Sequence, residues 1–441
     1  MTLRLCCLIP LLFAGLAVAK DSPPKSATVA KAWTAEHLPE VVAVYKQLHQ
    51  APELSFAEEK TAARLAEQLR EIGCDVRTDI GGHGLIGVLK NGEGKTLLLR
   101  ADMDALPVVE ETGVPYASKV RATNERGQTV GVMHACGHDI HMSNLVGVAR
   151  MLAENKDAWQ GTVIFLMQPA EERGAGSKAM LDDGLLTMFP RPDFAVALHV
   201  SADSPCGTIG YCPGYACANV DSVDITIKGR GGHGAYPETT IDPIPIAAKL
   251  VLDLQTIISR EIKPIEPAVI TVGAIEGGTK HNVISDECKL QLTVRSYSPQ
   301  VREQLAEAIK RKAKAAAMSA GAPEPEVLIS EGTPSLFNDP QLAEQVAEIA
   351  GRVIGSDNVS RSEPTMGGED FSRYGIAGIP ICMYKLGAVS QERLDEFKRG
   401  GTPPPSLHSP RFYPDPDATL ETGMNTMGAI ALELLAPSSD E

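Results

Sequence analysis

The sequence predicts an α/β protein of two domains: an α/β sheet domain into which a ferredoxin-like α+β satellite domain is inserted. Four largely continuous apolar runs, at 85–90, 96–101, 162–167 and 194–200, suit strands buried on both faces of a sheet, and helical patterns fall between them. Residues 220–330 change rhythm to β-α-β-β-α-β, the order of a split βαβ unit. An apolar strand at 379–386 between helical patterns then restores the first rhythm, so the two flanks form one domain. The 441 residues, 43% of them hydrophobic, suffice for more than one core.

Taken in order, the first 19 residues, MTLRLCCLIPLLFAGLAVA, read as an address. Arg4 precedes an apolar run that ends in the small-residue pattern Ala17-Val18-Ala19, so a signal peptide cleaved after Ala19 and a periplasmic or secreted chain are expected. An uncleaved anchor is the alternative, although the run is short of the ~20 residues a span needs. Residues 20–36 are polar and poor in pattern and read as a tether. Val41, Val44, Tyr45 and Leu48 then recur at helical spacing, and a second helix from Ala57 to Ile72 stops at Gly73. Helices at 139–154 and 176–186 separate the later apolar strands.

The insertion comprises a strand at 220–228, a helix at 242–260, strands at 268–275 and 287–297, a helix at 299–320 and a strand at 325–330. Helices at 339–355 and 417–435 flank the strand at 379–386. The sheet domain is accordingly 37–215 with 331–436, and the satellite is 216–330.

With 41 basic and 56 acidic residues the formal charge is −15, which disfavours nucleic acid and anionic membrane surfaces as partners. No later run approaches spanning length, so the mature chain is expected to have no membrane span. Loss of Cys6 and Cys7 with the signal leaves an odd number of cysteines in an oxidising compartment, and at least one must be free, metal-bound or paired between chains. Cys206, Cys212 and Cys217 have spacings that permit pairing or metal binding.

The densest chemistry is MHACGHDIHM, which sets His134, Cys136, His138, Asp139 and His141 just before a helical pattern. Cys136 and His138 can face one metal from such a loop; a capped helix with surface histidines is the alternative. QPAEE places Glu171 and Glu172 at the carboxyl end of a buried strand, where open α/β sheets bind ligands. Adjacent carboxylates point apart, so one suits a metal and the other a water as general base, unless both merely favour a helix N-terminus. Asp102 and Asp104 follow the strand TLLLRA, where a carboxylate orients a ligand histidine or marks a plain turn. His199 lies near the end of the strand FAVALHV and His408 lies in TPPPSLHSPRF, where, taken alone, a core histidine and a loop histidine are the favoured readings. A parallel sheet would bring Cys136, Glu172 and His199 to one edge.

RADMDALP, MHACGHDIHM, QPAEE, the strand carrying His199, GRGGHGAYP, GGTKHNVISDE, MGGEDFSRY and LHSPRF together resemble the aminoacylase and carboxypeptidase family of dinuclear metallopeptidases. The similarity is strongest to its amidohydrolase branch of hippurate hydrolases, N-acyl amino acid amidohydrolases and auxin-conjugate hydrolases, and it spans residues 38–436. It implies a two-metal centre held by Cys136, His138, Glu172, His199 and His408, with Glu171 as general base and Asp102 and Asp104 behind the ligands. The two divalent ions expected are zinc or manganese, with cobalt or nickel as other occupants. The resemblance also implies that His233 crosses a homodimer, formed through the inserted domain, to hold the substrate carbonyl oxygen. Asn282 and Arg295 match positions that contact the substrate's far end or carboxylate. Ser285 and Glu238 depart from the usual proline and histidine, in loops at the pocket rim.

The implied activity is metal-dependent hydrolysis of small N-acyl amino acids or dipeptide-like amides with a free carboxylate. A cysteine hydrolase built on Cys136 and a catalytically silent binding protein are the rival readings. Chelation separates the first of these from a metalloenzyme.

Overall fold

The computed structural model describes residues 24–437; the expected signal segment at 1–19 lies outside them. Among the described residues, eight strands form one sheet. Their spatial order is Asp75–Ile80, Gly84–Asn91, Gly161–Gln168, Thr96–Asp102, Phe194–Pro205, Ile381–Val389, Ile209–Tyr211 and Val359–Arg361. The four central strands, the expected apolar runs at 96, 162, 194 and 379, are parallel. Thr96–Asp102 and Gly161–Gln168 are buried along their whole length, as strands covered on both faces must be. Because the strands are parallel, their carboxyl ends share one edge, and Asp102 pairs with Gln168 there.

The first helix corrects one expectation. Residues 25–36 are not a tether but the first half of α1 (Lys25–His49). Its face there is made of Ala27, Ala30 and Trp33, all buried, and small alanines at helical spacing are easily overlooked as an apolar stripe. The Ser26 hydroxyl donates to Glu433 at 2.7 Å and the Trp33 indole N–H to Glu154 at 2.5 Å, tying α1 to the helices Pro416–Leu434 and α3 (His138–Glu154). The second helix, Glu59–Ile72, ends as expected at Gly73, which is left-handed at φ 96°.

The helix expected at 176–186 stops at Asp182. Gly184, at φ 82°, turns the chain into a separate short turn at Leu185–Thr187. Several short elements go beyond the sequence expectation, and for two longer ones the reason is plain. The edge strand Asp75–Ile80 is mostly polar, and the helix Gln391–Gly400 buries no residue, so neither has an apolar signature.

Residues 219–331 form a second sheet in the order Ala268–Gly277, Glu287–Ser296, Asn219–Lys228, Glu326–Glu331, all antiparallel. This is the strand order of the ferredoxin-like unit, with helices Pro243–Arg260 and Pro299–Ser319 packed on it. Its core, which includes Val223, Ile227, Leu250, Leu290 and Leu305, is separate from the clusters on either side of the large sheet. The two chain crossings pair with each other, Val220 N–H to Thr333 O at 2.9 Å and Gly332 N–H to Val220 O at 3.0 Å. No helix among the described residues is long and apolar enough to cross a membrane.

Candidate metal centre

The carboxyl edge of the large sheet carries the chemistry. Gly137 allows Cys136 and His138 to reach it: at φ 82° it turns the chain into α3, and a Cβ there would lie 2.4 Å from the Val200 side chain. The Cys136 sulfur is thereby brought 3.6 Å from Nε2 of His199. Glu171 and Glu172 sit in the turn after Gly161–Gln168. His408, left-handed at φ 68°, is fixed by its N–H to the Ala135 carbonyl at 2.8 Å, and its Nε2 lies 3.5 Å from Glu172.

The hydrogen bonds decide which ring nitrogens are free. His138 donates from Nδ1 to the Asp104 carbonyl at 2.8 Å, and His199 from Nδ1 to the Val200 carbonyl at 2.8 Å. Each ring in its neutral form therefore presents an Nε2 lone pair to the cluster, a pattern in which a backbone acceptor orients a metal ligand. His138 Nε2 and Glu172 Oε1 are buried with no hydrogen-bond partner among the described residues. Donor atoms of Cys136, His138 and His199, of Cys136, Glu172 and His408, and of His138, Glu171 and Glu172 converge within 4.8 Å. All five expected ligands and Glu171 thus meet in one place, with a thiol, imidazoles and carboxylates suited to zinc-like ions.

His141 joins Asp102 and His138 in a similar grouping. Its Nε2, however, accepts the Val200 N–H at 3.0 Å while its Nδ1 donates to Asp102 at 2.6 Å, so both nitrogens are occupied. Burial holds it neutral, its pKa down to about 4. His134, also buried, is lowered to about 4 by the same cause and has neither nitrogen bonded among the described residues.

Asp104 lies behind the ligands, accepting the amides of Glu171 at 3.1 Å and Glu172 at 3.0 Å. Asp102 is held at 2.7 Å by Arg100, a fully buried arginine that also reaches Glu369 at 3.0 Å and Asp370 at 3.2 Å. A charged residue inside the run TLLLRA was the available signal for this network, and MGGEDF supplies its other half. Burial, then the charges of Glu369 and Asp370, pushes Glu171 well above the usual carboxylate range. Burial raises Glu172 to about 7, opposed by His138. Burial and Glu172 likewise push the Cys136 thiol well above its ordinary value.

His233, Asn282 and Arg295 lie apart from this cluster, on the satellite. His233 is exposed on a short ribbon, Gly232–His233 paired with Val283–Ile284, and its Nδ1 accepts the Ala235 N–H at 3.0 Å. Asn282 is exposed beside it, its carbonyl taking the Gly234 N–H at 2.9 Å. Arg295 is half-buried and reaches across to the Met366 carbonyl at 3.0 Å. The seven cysteines among the described residues are all free, so the 206–217 group is unpaired.

A peptidase family model, M20/M25/M40, matches residues 98–432. The chain belongs to this family. It is 34% identical over 400 residues to thermostable carboxypeptidase 1 of Saccharolobus solfataricus, covering 90% of this chain and 94% of the relative. It is 37% identical over 363 residues to N-acetyldiaminopimelate deacetylase of Geobacillus thermodenitrificans, covering 81% and 91%. Among solved structures, the Bacillus subtilis YXEP protein, described as a dinuclear metal binding peptidase from the M20 family, superposes with a TM-score of 0.75. That match has 30% identity and covers 91% of this chain and 99% of the other. This M20 chain is accordingly a hydrolase of amide bonds, with a catalytic sheet domain and an inserted ferredoxin-like domain.

Proposed function

We propose that the protein is an exported, two-metal amidohydrolase that cleaves small N-acyl amino acids or dipeptide-like amides bearing a free carboxylate. The observation that carries this is the convergence of Nε2 of His138 and of His199 with Cys136, Glu172 and His408. These five residues would hold two divalent ions, zinc or manganese, which when bound supply Lewis-acid polarisation of the carbonyl and acidify the attacking water. Glu171, at the same cluster with a raised pKa, takes the water's proton and returns it to the leaving amine. The cysteine-nucleophile reading is disfavoured because burial and Glu172 raise the thiol, where a nucleophile requires it lowered.

The free carboxylate rests on Arg295. Its contacts are to Met366 O and Thr293 Oγ1, and among the described residues no carboxylate pairs with it, so its charge is available to an anion. A carboxypeptidase and an N-acetyldiaminopimelate deacetylase as relatives agree with an amide beside a carboxylate. Asn282, exposed beside His233, would contact the substrate's far end.

His233 accepts the Ala235 amide at Nδ1, so its neutral ring carries the proton on Nε2, an exposed donor. In a homodimer formed through the satellite, that donor meets the carbonyl oxygen in the partner's cleft and stabilises its developing charge. Metal analysis with chelation tests the core of the reading. About two ions per chain and loss of hydrolysis on chelation, restored by added zinc or manganese, are expected; activity that survives complete metal removal would refute it.

A further inference from the structure

We infer that Glu58 is a positioning residue for Glu171, holding in place the strained turn that presents the base. The inference rests on the assignment of Glu171 above. Ala170, immediately before the base, is fully buried in the left-handed region at φ 48°, ψ 42°. A residue with a Cβ does not stay there without support. The support is visible. The Ala170 N–H donates to Oε1 of Glu58 at 2.8 Å, while the next two amides, of Glu171 and Glu172, donate to the two carboxylate oxygens of Asp104. Three successive N–H groups thus converge on two buried acids, a concave arrangement of amides that prefers an anion.

Glu58 comes from the connection between α1 and α2 (Glu59–Ile72), far from Ala170 in sequence. That connection is itself fastened to the metal edge. Ser55 donates to Asp104 at 2.7 Å, and Ala105 N–H bonds the Glu53 carbonyl at 2.8 Å. Phe56 in the same stretch is left-handed at φ 63°, a second strained residue. The other Glu58 oxygen, Oε2, is buried with no partner among the described residues, and burying an acid for one hydrogen bond is unfavourable on its own. Its return is the geometry of the turn. If the Ala170 amide is released, the left-handed conformation loses its support and the Glu171 carboxylate moves off the attacking water.

The test uses the full-length metal-loaded enzyme with hippurate or the N-acetyl amino acid that the wild type turns over fastest. Glu58→Leu is expected to lower kcat about 10- to 100-fold, with KM and metal content within about twofold. Glu58→Gln keeps the acceptor and should retain kcat within about threefold. Glu58→Asp withdraws the acceptor by one methylene and should show the leucine pattern if the leucine variant does not fold. In a Glu171→Gln background, Glu58→Leu should add less than about twofold, because a residue acting through the base has nothing left to position. Retained kcat in both the leucine and aspartate variants, an equal cost in both backgrounds, or loss of metal in place of kcat would each overturn the inference. Near-native turnover by Glu171→Gln itself would instead refute the base assignment.

Discussion

His49, the last residue of α1, is gripped between two carboxylates: its Nδ1 lies 2.6 Å from Asp139 and its Nε2 3.1 Å from Glu110. Asp139 follows His138, so the end of the N-terminal helix is tied directly to the loop that carries the candidate ligands Cys136 and His138. Both ring nitrogens face acceptors, which only an imidazolium satisfies. Burial alone would drive off that proton, but the hydrogen bonds that the ring donates to Asp139 and Glu110 win, and the pKa rises from 6.5 to about 9.

A pH dependence of stability follows. The folded state binds the proton more tightly than the unfolded chain, so the stabilisation is complete below pH 6.5 and is lost as pH rises through about 9. Its size is of the order of ~3 kcal/mol. Urea unfolding at pH 6.5, 8 and 9.5 should show wild type losing stability that His49→Gln, already weaker at pH 6.5, does not lose. Parallel curves for the two proteins would exclude the clamp.

Glu171→Gln should keep its metal and lose at least ~100-fold in kcat, the usual cost of removing a general base. Metal content and single-substrate kinetics on the same preparation decide it. A near-native rate would remove Glu171 from proton transfer.

Cys136→Ala should reduce bound metal and abolish hydrolysis, since the thiol lies between His199 and the carboxylate group. Under the cysteine-hydrolase reading the same variant would lose activity with its metal unchanged. Elemental analysis of the purified variant separates the two.

The candidate metal cluster is legible in the sequence because its expected ligands crowd into short motifs at strand ends, and MHACGHDIHM alone carries two of them. A histidine's free nitrogen was not legible. His138 and His141 stand three residues apart in one motif, yet only the structure shows that His141 spends Nε2 on the Val200 amide. Glu58 and His49 were passed over because their partners, Ala170 and Asp139, are distant in sequence and leave no spacing pattern. The start of α1 was missed for a different reason: alanines at positions 27 and 30 bury fully without standing out as a hydrophobic face.

The assignment of His233 predicts a recovery of activity that neither parent shows. His233→Ala removes the exposed imidazole of the satellite ribbon, and Glu171→Gln removes the base at the sheet edge, so each protein alone should be nearly inactive. Loss of one oxyanion donor costs roughly 10²–10³ in kcat. If His233 serves the partner's cleft, a mixed dimer has one site with both substituted residues and one with both groups intact. Random exchange of equal amounts makes half of the dimers mixed, so about one quarter of all sites become native in a two-fold symmetric assembly. Activity should therefore climb towards about a quarter of wild type over the time course of subunit exchange, followed in parallel by native mass spectrometry. Exchange proven by mass, with no rise in hydrolysis, would place His233 in its own subunit's site or outside catalysis altogether, since in either case every site would still lack one of the two groups or never have needed the imidazole.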